Sequence, residues 1–137
     1  MGKEIIGLDT VLFIYLLEAN RDYAKPVRAL FRSIESGEKR GVFSSVGMIE
    51  LLTGVKKQNR WDLAAQYKEY LGAFPNLSIV GINERIVDYA SDLRAKYGIL
   101  TPDAIHIATA IDAGAKQFAT NDRSLACVRE IKIYVLA

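Results

Sequence analysis

"EIIGLDTVLFIYLLE", Glu4–Glu18, is the stretch on which the fold turns. Its first five residues form a short apolar run of the kind that makes a buried strand, and residues from about Val11 to Glu18 read as a helix. Asp9 and Thr10 stand at the joint, where either side chain can accept a hydrogen bond from the free amides of a helix start. A strand that runs straight into a helix opens an α/β architecture. The rest of the chain keeps the same alternation of apolar runs and helix-period segments, which predicts an α/β domain with a largely parallel sheet.

Working outward, a second helix follows Pro26, with Val27, Leu30, Phe31 and Ile34 at i, i+3, i+4 and i+7 and Gly37 as its stop. "GVFSS" is strand two, and Ser44 or Ser45 caps a helix whose apolar stripe is Met48, Leu51, Leu52 and Val55. A longer amphipathic helix carries Leu63, Tyr67, Tyr70, Leu71 and Phe74 and ends at Pro75. "LSIVGI" is strand three. Asn83 caps the next helix, with Ile86, Ala90, Leu93 and Tyr97 inward and Gly98 closing it. "LTPDAIHIATA" then starts a helix from Pro102 to about Ala113, with Thr101 as cap, Pro102 in the first position and Asp103 in the second. "KQFAT" and "IKIYVL" are strands four and five.

At 137 residues, half of them hydrophobic and 25% charged, the chain reads as a single domain spanning 1–137 with a core that needs no staples. No apolar run approaches the roughly 18 residues of a membrane span. The opening "MGKEIIGLDT" reads as a first strand rather than a signal peptide, and Ile6 stands where a myristoylation signal wants Ser or Thr. Cys127 is the only cysteine, which excludes an intrachain disulfide and a thiolate zinc site and fits a cytoplasmic location. A net charge of +2 permits an anionic partner without demanding one.

Ligands of open α/β sheets gather outside the carboxyl ends of the strands. Asp9 lies just past strand one, Asp122 just past strand four, Asp103 opens a helix, and Glu50 lies early in the helix after strand two. Four acids from four segments therefore point to one edge of the sheet. Each also has a structural reading: Asp9 and Asp103 as helix-start residues, Asp122 in a turn, Glu50 on a solvated face. Gly47 and Gly54 flank Glu50 by one turn, and glycine inside a helix costs up to about 1 kcal/mol relative to alanine. The pair predicts a close approach to that face. Clustered carboxylates repel, and a hard divalent cation such as Mg²⁺ or Mn²⁺ relieves the conflict. Such a centre favours hydrolysis of a phosphodiester.

Four segments, "GLDTVLFIYLLE", "FSSVGMIELLTGV", "LRAKYGILTPDAIHIATAIDAGAKQFATNDRSL" and the closing strand, resemble in order and spacing the PIN-domain nucleases, most closely the VapC-type toxins of toxin–antitoxin pairs. The resemblance implies a three-layer α/β/α sandwich around a parallel five-stranded sheet. It implies Asp9, Glu50, Asp103 and Asp122 as the acidic quartet, the three aspartates as direct metal ligands and Glu50 acting through water. Thr120 matches a hydroxyl that braces the site, with Asn121 beside it. The implied activity is Mg²⁺- or Mn²⁺-dependent cleavage of RNA, commonly leaving a 3′-hydroxyl and a 5′-phosphate, in a homodimer neutralised by an antitoxin protein. Val11 departs from the pattern, which usually has Asn two residues after the first Asp.

Two other readings compete: a catalytically weak PIN domain that binds RNA or protein, supported by Val11, and an aspartate-based phosphatase, which would want a second Asp at that position. His106 shares a helix face with Asp103 and reads as a partly buried polar residue more readily than as a ligand or base. Trp61, Tyr67 and Tyr70 read as core or dimer packing. Of the basic residues (Arg21, Lys25, Arg28, Arg32, Lys39, Arg40, Lys56, Lys57, Arg60 and Arg123), Arg123 beside Asp122 is the candidate for holding a phosphate. Lys56, Lys57 and Arg60 are a weaker RNA-backbone candidate.

Overall fold

The computed structural model describes residues 3–18 and 24–136, so Arg21 falls outside the described residues. Its elements in order are β1 (Glu4–Leu8), α1 (Thr10–Leu17), α2 (Ala24–Glu35), β2 (Lys39–Ser44), α3 (Ser45–Lys57), α4 (Trp61–Gly72), β3 (Leu77–Val80), α5 (Glu84–Tyr97), α6 (Thr101–Asp112), β4 (Gln117–Thr120) and β5 (Lys132–Val135). The five strands form one sheet in the order β3-β2-β1-β4-β5, and every neighbouring pair is parallel. The chain thus winds outward from β1 through β2 to β3, then returns to the far side of β1 with β4 and β5. The switch in direction lies between β1 and β4.

Side-chain alternation along the strands divides the interior in two. Ile6 and Leu8 of β1, Phe43 of β2 and Ala119 of β4 pack with Leu12, Phe13, Phe31, Ile34, Leu51 and Leu71 of α1–α4. Phe118 of β4 turns to the other face, against Ile86 and Leu93 of α5 and Ala104, Ile107 and Ala108 of α6. Helices therefore cover both faces, and the expected three-layer α/β/α sandwich is the fold adopted. Three buried phenylalanines knit the first layer: Phe13 stacks on Phe43 with centroids 4.1 Å apart, and Phe31 meets Phe13 edge-on at 5.0 Å. On the second face α6 lies directly on β1, because Gly7 has no side chain; a Cβ there would stand 2.4 Å from that of Ala110.

Several local expectations need correction. α2 begins two residues before Pro26, which is tolerated because a proline in the first turn lacks an amide that has no partner there anyway. α6 begins at Thr101, so Thr101 is not its cap; Leu100 takes that place and offers no side-chain hydrogen bond. A 3-10 helix over Arg123–Cys127, which hydrophobic periodicity does not register, follows β4. Tyr67 is buried as expected, whereas Trp61 (61% exposed) and Tyr70 (46%) are not core residues. Among the described residues no helix is long and apolar enough to cross a membrane.

Candidate active site

Asp9 sits where β1 gives way to α1, at the point where the strand order reverses. Its own amide still pairs with the carbonyl of Ala119 at 3.0 Å, so the residue is anchored to β4 as well as to β1. As the N-cap of α1 it accepts a hydrogen bond from the Thr10 amide at 2.8 Å on Oδ1. Its second oxygen, Oδ2, accepts from the hydroxyl of Thr120 at 2.6 Å. That hydroxyl accepts in turn from the Asp122 amide at 3.0 Å. Thr120, with no exposed surface, thereby ties the ends of β1 and β4 together.

Asp122 caps the 3-10 helix, where Oδ1 accepts from the amide of Ser124 at 3.0 Å and from its hydroxyl at 2.7 Å. Asn121 donates to the Tyr15 hydroxyl. Arg123 is exposed beside Asp122 and makes no ion pair among the described residues. Asp103 lies in the first turn of α6, half-buried, and no described residue donates a hydrogen bond to its carboxylate. It starts the helix without capping it.

Glu50 reaches the same edge from α3. Its Oε1 accepts from the Thr10 hydroxyl at 2.8 Å and lies 2.7 Å from His106 Nε2. Thr10 therefore bridges two of the acids, holding Asp9 through its amide and Glu50 through its hydroxyl. His106 is buried, with 3% of its surface exposed, and its Nδ1 lies 2.8 Å from the hydroxyl of Ser44. The sequence undervalued this residue: the expected buried polar histidine is present, but it touches an acid of the quartet. Its i+3 spacing from Asp103 was the available signal.

The glycine argument also changes. A Cβ on Gly47 would lie 2.2 Å from Cε1 of Phe43 and 3.0 Å from Thr10 Oγ1, so the group that approaches closely is the protein's own core. Gly54 faces open space. Val11, at the position that departs from the family pattern, is half-buried and packs against the apolar cluster of the first layer.

The acids feel one another. Burial pushes the Asp9 carboxyl above the usual carboxylate range and the Glu50 charge adds to this, while the hydrogen bond from Thr120, the nearby His106 ring and the Thr10 amide oppose it. Asp103 is raised as well, by burial first, then by Asp9, and further by Asp122 and Glu50, against His106. Yet among the described residues no three Asp, Glu, His or Cys side chains stand close enough to enclose a cation as placed. Each of Asp9, Glu50 and Asp122 has hydrogen-bond donors of its own. The outlying basic group is partly committed elsewhere: Arg60 pairs with Asp62 at 3.1 Å, and Lys56 lies over the Trp61 ring.

The PIN domain family profile matches residues 6–131, nearly the whole chain. The chain belongs to the PIN domain family. PIN domains are generally nucleases, and those nucleases generally use divalent metals. Comparison with curated proteins gives no significant match. Among solved structures, this PIN domain superposes on a chain of VapBC2 from Rickettsia felis bound to a DNA fragment from their promoter, with TM-score 0.79 and 17% identity over 97% of this chain and 99% of that one. A chain of a toxin–antitoxin complex from Klebsiella pneumoniae gives 0.72 and 21%, covering 98% of both. FitAcB from Neisseria gonorrhoeae gives 0.71 and 20%, covering 95% of this chain and 96% of that one. At these identities the likeness establishes the fold.

Proposed function

We propose that this PIN domain is a Mg²⁺- or Mn²⁺-dependent endoribonuclease acting as the toxin of a VapBC-type pair, a homodimer held in check by an antitoxin protein. The observation that supports the reading is that Asp103 feels the charges of Asp9, Asp122 and Glu50, acids from three other segments, beside the sheet's switch point. The toxin–antitoxin complexes among the structural neighbours support the partner.

The chemistry of the donor set, rather than its present spacing, suits a hard divalent cation: four carboxylates, with no soft ligand among them, and Asp103 without a competing donor among the described residues. Asp9, Asp103 and Asp122 would hold it. When bound, such a cation supplies charge stabilisation at the phosphate and lowers the pKa of water. The protein's own groups do the rest. Glu50 orients the attacking water and accepts its proton, Thr120 fixes the direction of Asp9, and Arg123 holds a phosphate of the bound strand.

Single Asp9→Asn, Asp103→Asn and Asp122→Asn variants are expected to stay folded and to lose RNA cleavage by roughly 100-fold or more, the scale on which removing one charge-stabilising group acts. Sequencing of cellular RNA ends after induction should give 3′-hydroxyl and 5′-phosphate termini in the parent alone. Variants that cut as well as the parent, with chelator making no difference, would overturn the reading.

A further inference from the structure

We propose that His106 is a positioning residue for Glu50, fixed in one tautomer by Ser44. This rests on the nuclease reading for its consequence in cleavage, although the geometry stands without it. The assignment follows from counting donors. A carboxylate oxygen only accepts, so the 2.7 Å contact between His106 Nε2 and Glu50 Oε1 is a hydrogen bond only if Nε2 carries the proton. At the other end of the ring, Ser44 is the N-cap of α3, and its Oγ already accepts from the Gly47 amide at 3.1 Å. In the neutral imidazole a proton on Nε2 leaves Nδ1 bare, so Nδ1 accepts from the Ser44 hydroxyl at 2.8 Å, whose proton the Gly47 contact leaves free. Thr10 agrees with this: its own proton goes to Glu50 Oε1, so its oxygen, 3.4 Å from Nε2, can only accept a share of the same N–H.

The result is a directed chain running from the Gly47 amide through Ser44 and His106 to Glu50. It matters because Glu50 has the longest side chain of the four acids and the most rotatable bonds to fix. Its side chain is long and 41% exposed, whereas the imidazole that holds it is 1% exposed and locked between α6 and the end of β2. Two donors on one oxygen fix the carboxylate and leave Oε2 for water. The acid that acts through a water is thus oriented by α6, the helix that also presents Asp103.

His106 is the chain's only histidine, so one imidazole reports the arrangement without any metal or substrate. In long-range ¹H–¹⁵N spectra of the metal-free protein, the neutral imidazole should carry its proton on Nε2 and not on Nδ1, and Glu50→Gln should perturb both signals. A neutral ring protonated on Nδ1, or signals indifferent to Glu50→Gln, overturns the proposal.

Cleavage kinetics add a second arm. His106→Gln keeps a donor near the Nε2 position, whereas His106→Asn reaches only toward Ser44. The Asn variant should lose about 10–100-fold in kcat with KM little changed, the usual scale for a residue that orients a reacting group. The Gln variant should recover most of that loss at equal thermal stability. In the Glu50→Gln background, His106→Asn should cost nothing further. Additive losses, or losses that follow stability alone, leave His106 a structural residue. If the parent cuts no RNA the nuclease reading fails, while the spectra still decide the tautomer.

Discussion

At Asp103, burial and the Asp9, Asp122 and Glu50 carboxyls raise the pKa even though the first turn of a helix favours an anion by about 0.3–1 kcal/mol. The sign of the consequence is fixed. A carboxyl that is raised on folding contributes its stability below the ordinary range, and loses it as pH climbs through the raised value. Asp103→Asn should therefore be more thermally stable than the parent in chelator at neutral pH. That gap should close as pH falls toward about 4, where the unfolded carboxyl protonates as well. Melting curves across this window test it, and a variant less stable than the parent at every pH would restore a capping role. Asp9→Asn is a poorer probe, because an amide there offers the Thr120 hydroxyl one acceptor fewer. The carboxylates themselves were legible in the sequence, Asp9 and Asp122 past strand ends and Glu50 and Asp103 early in helices. The use of Thr10, Ser44 and His106 to hold them was not, because those contacts join residues up to 96 positions apart.

The elements placed by periodicity hold because the pattern reports burial directly. Val27, Leu30, Phe31 and Ile34 are all buried in α2, and Ile86, Ala90 and Leu93 in α5. Element ends fared worse, since a cap is decided by one hydrogen bond: Asn83 has its bond, to the Ile86 amide at 2.9 Å, and Thr101 turned out to be the helix's first residue. Glycines in α3 separate the two kinds of information. Gly47→Ala would drive a methyl into the Phe43 ring, which Phe13 backs, and should cost about 1–3 kcal/mol. Gly54→Ala meets open space and should stabilise the helix by up to about 1 kcal/mol. Denaturant unfolding of both variants checks the contrast; expectations of opposite sign for residues seven positions apart in one helix make it a sharp test. The sequence shows two glycines of equal standing, and only packing distinguishes them.

For the whole molecule, four acids drawn to one edge without a cation are a destabilising arrangement that ligand binding should relieve. Adding Mn²⁺ is expected to raise the melting temperature of the parent, by about 2.7 kcal/mol of stability at 100 times the dissociation constant, and to leave Asp9→Asn with a much smaller shift. Equal shifts in the two proteins would place the metal elsewhere. What the sequence determined by itself was the order of strands and helices, the parallel α/β class, and which acids stand past strand ends, because periodicity and strand–helix junctions are local. Tertiary structure alone decided that β4 returns beside β1, so that Thr120 clasps Asp9 and Asp122, and that α6 seats on Gly7 with His106 against Glu50. Those outcomes depend on contacts between segments far apart in the chain, whose geometry is set by packing density and hydrogen-bond satisfaction across the assembled sheet.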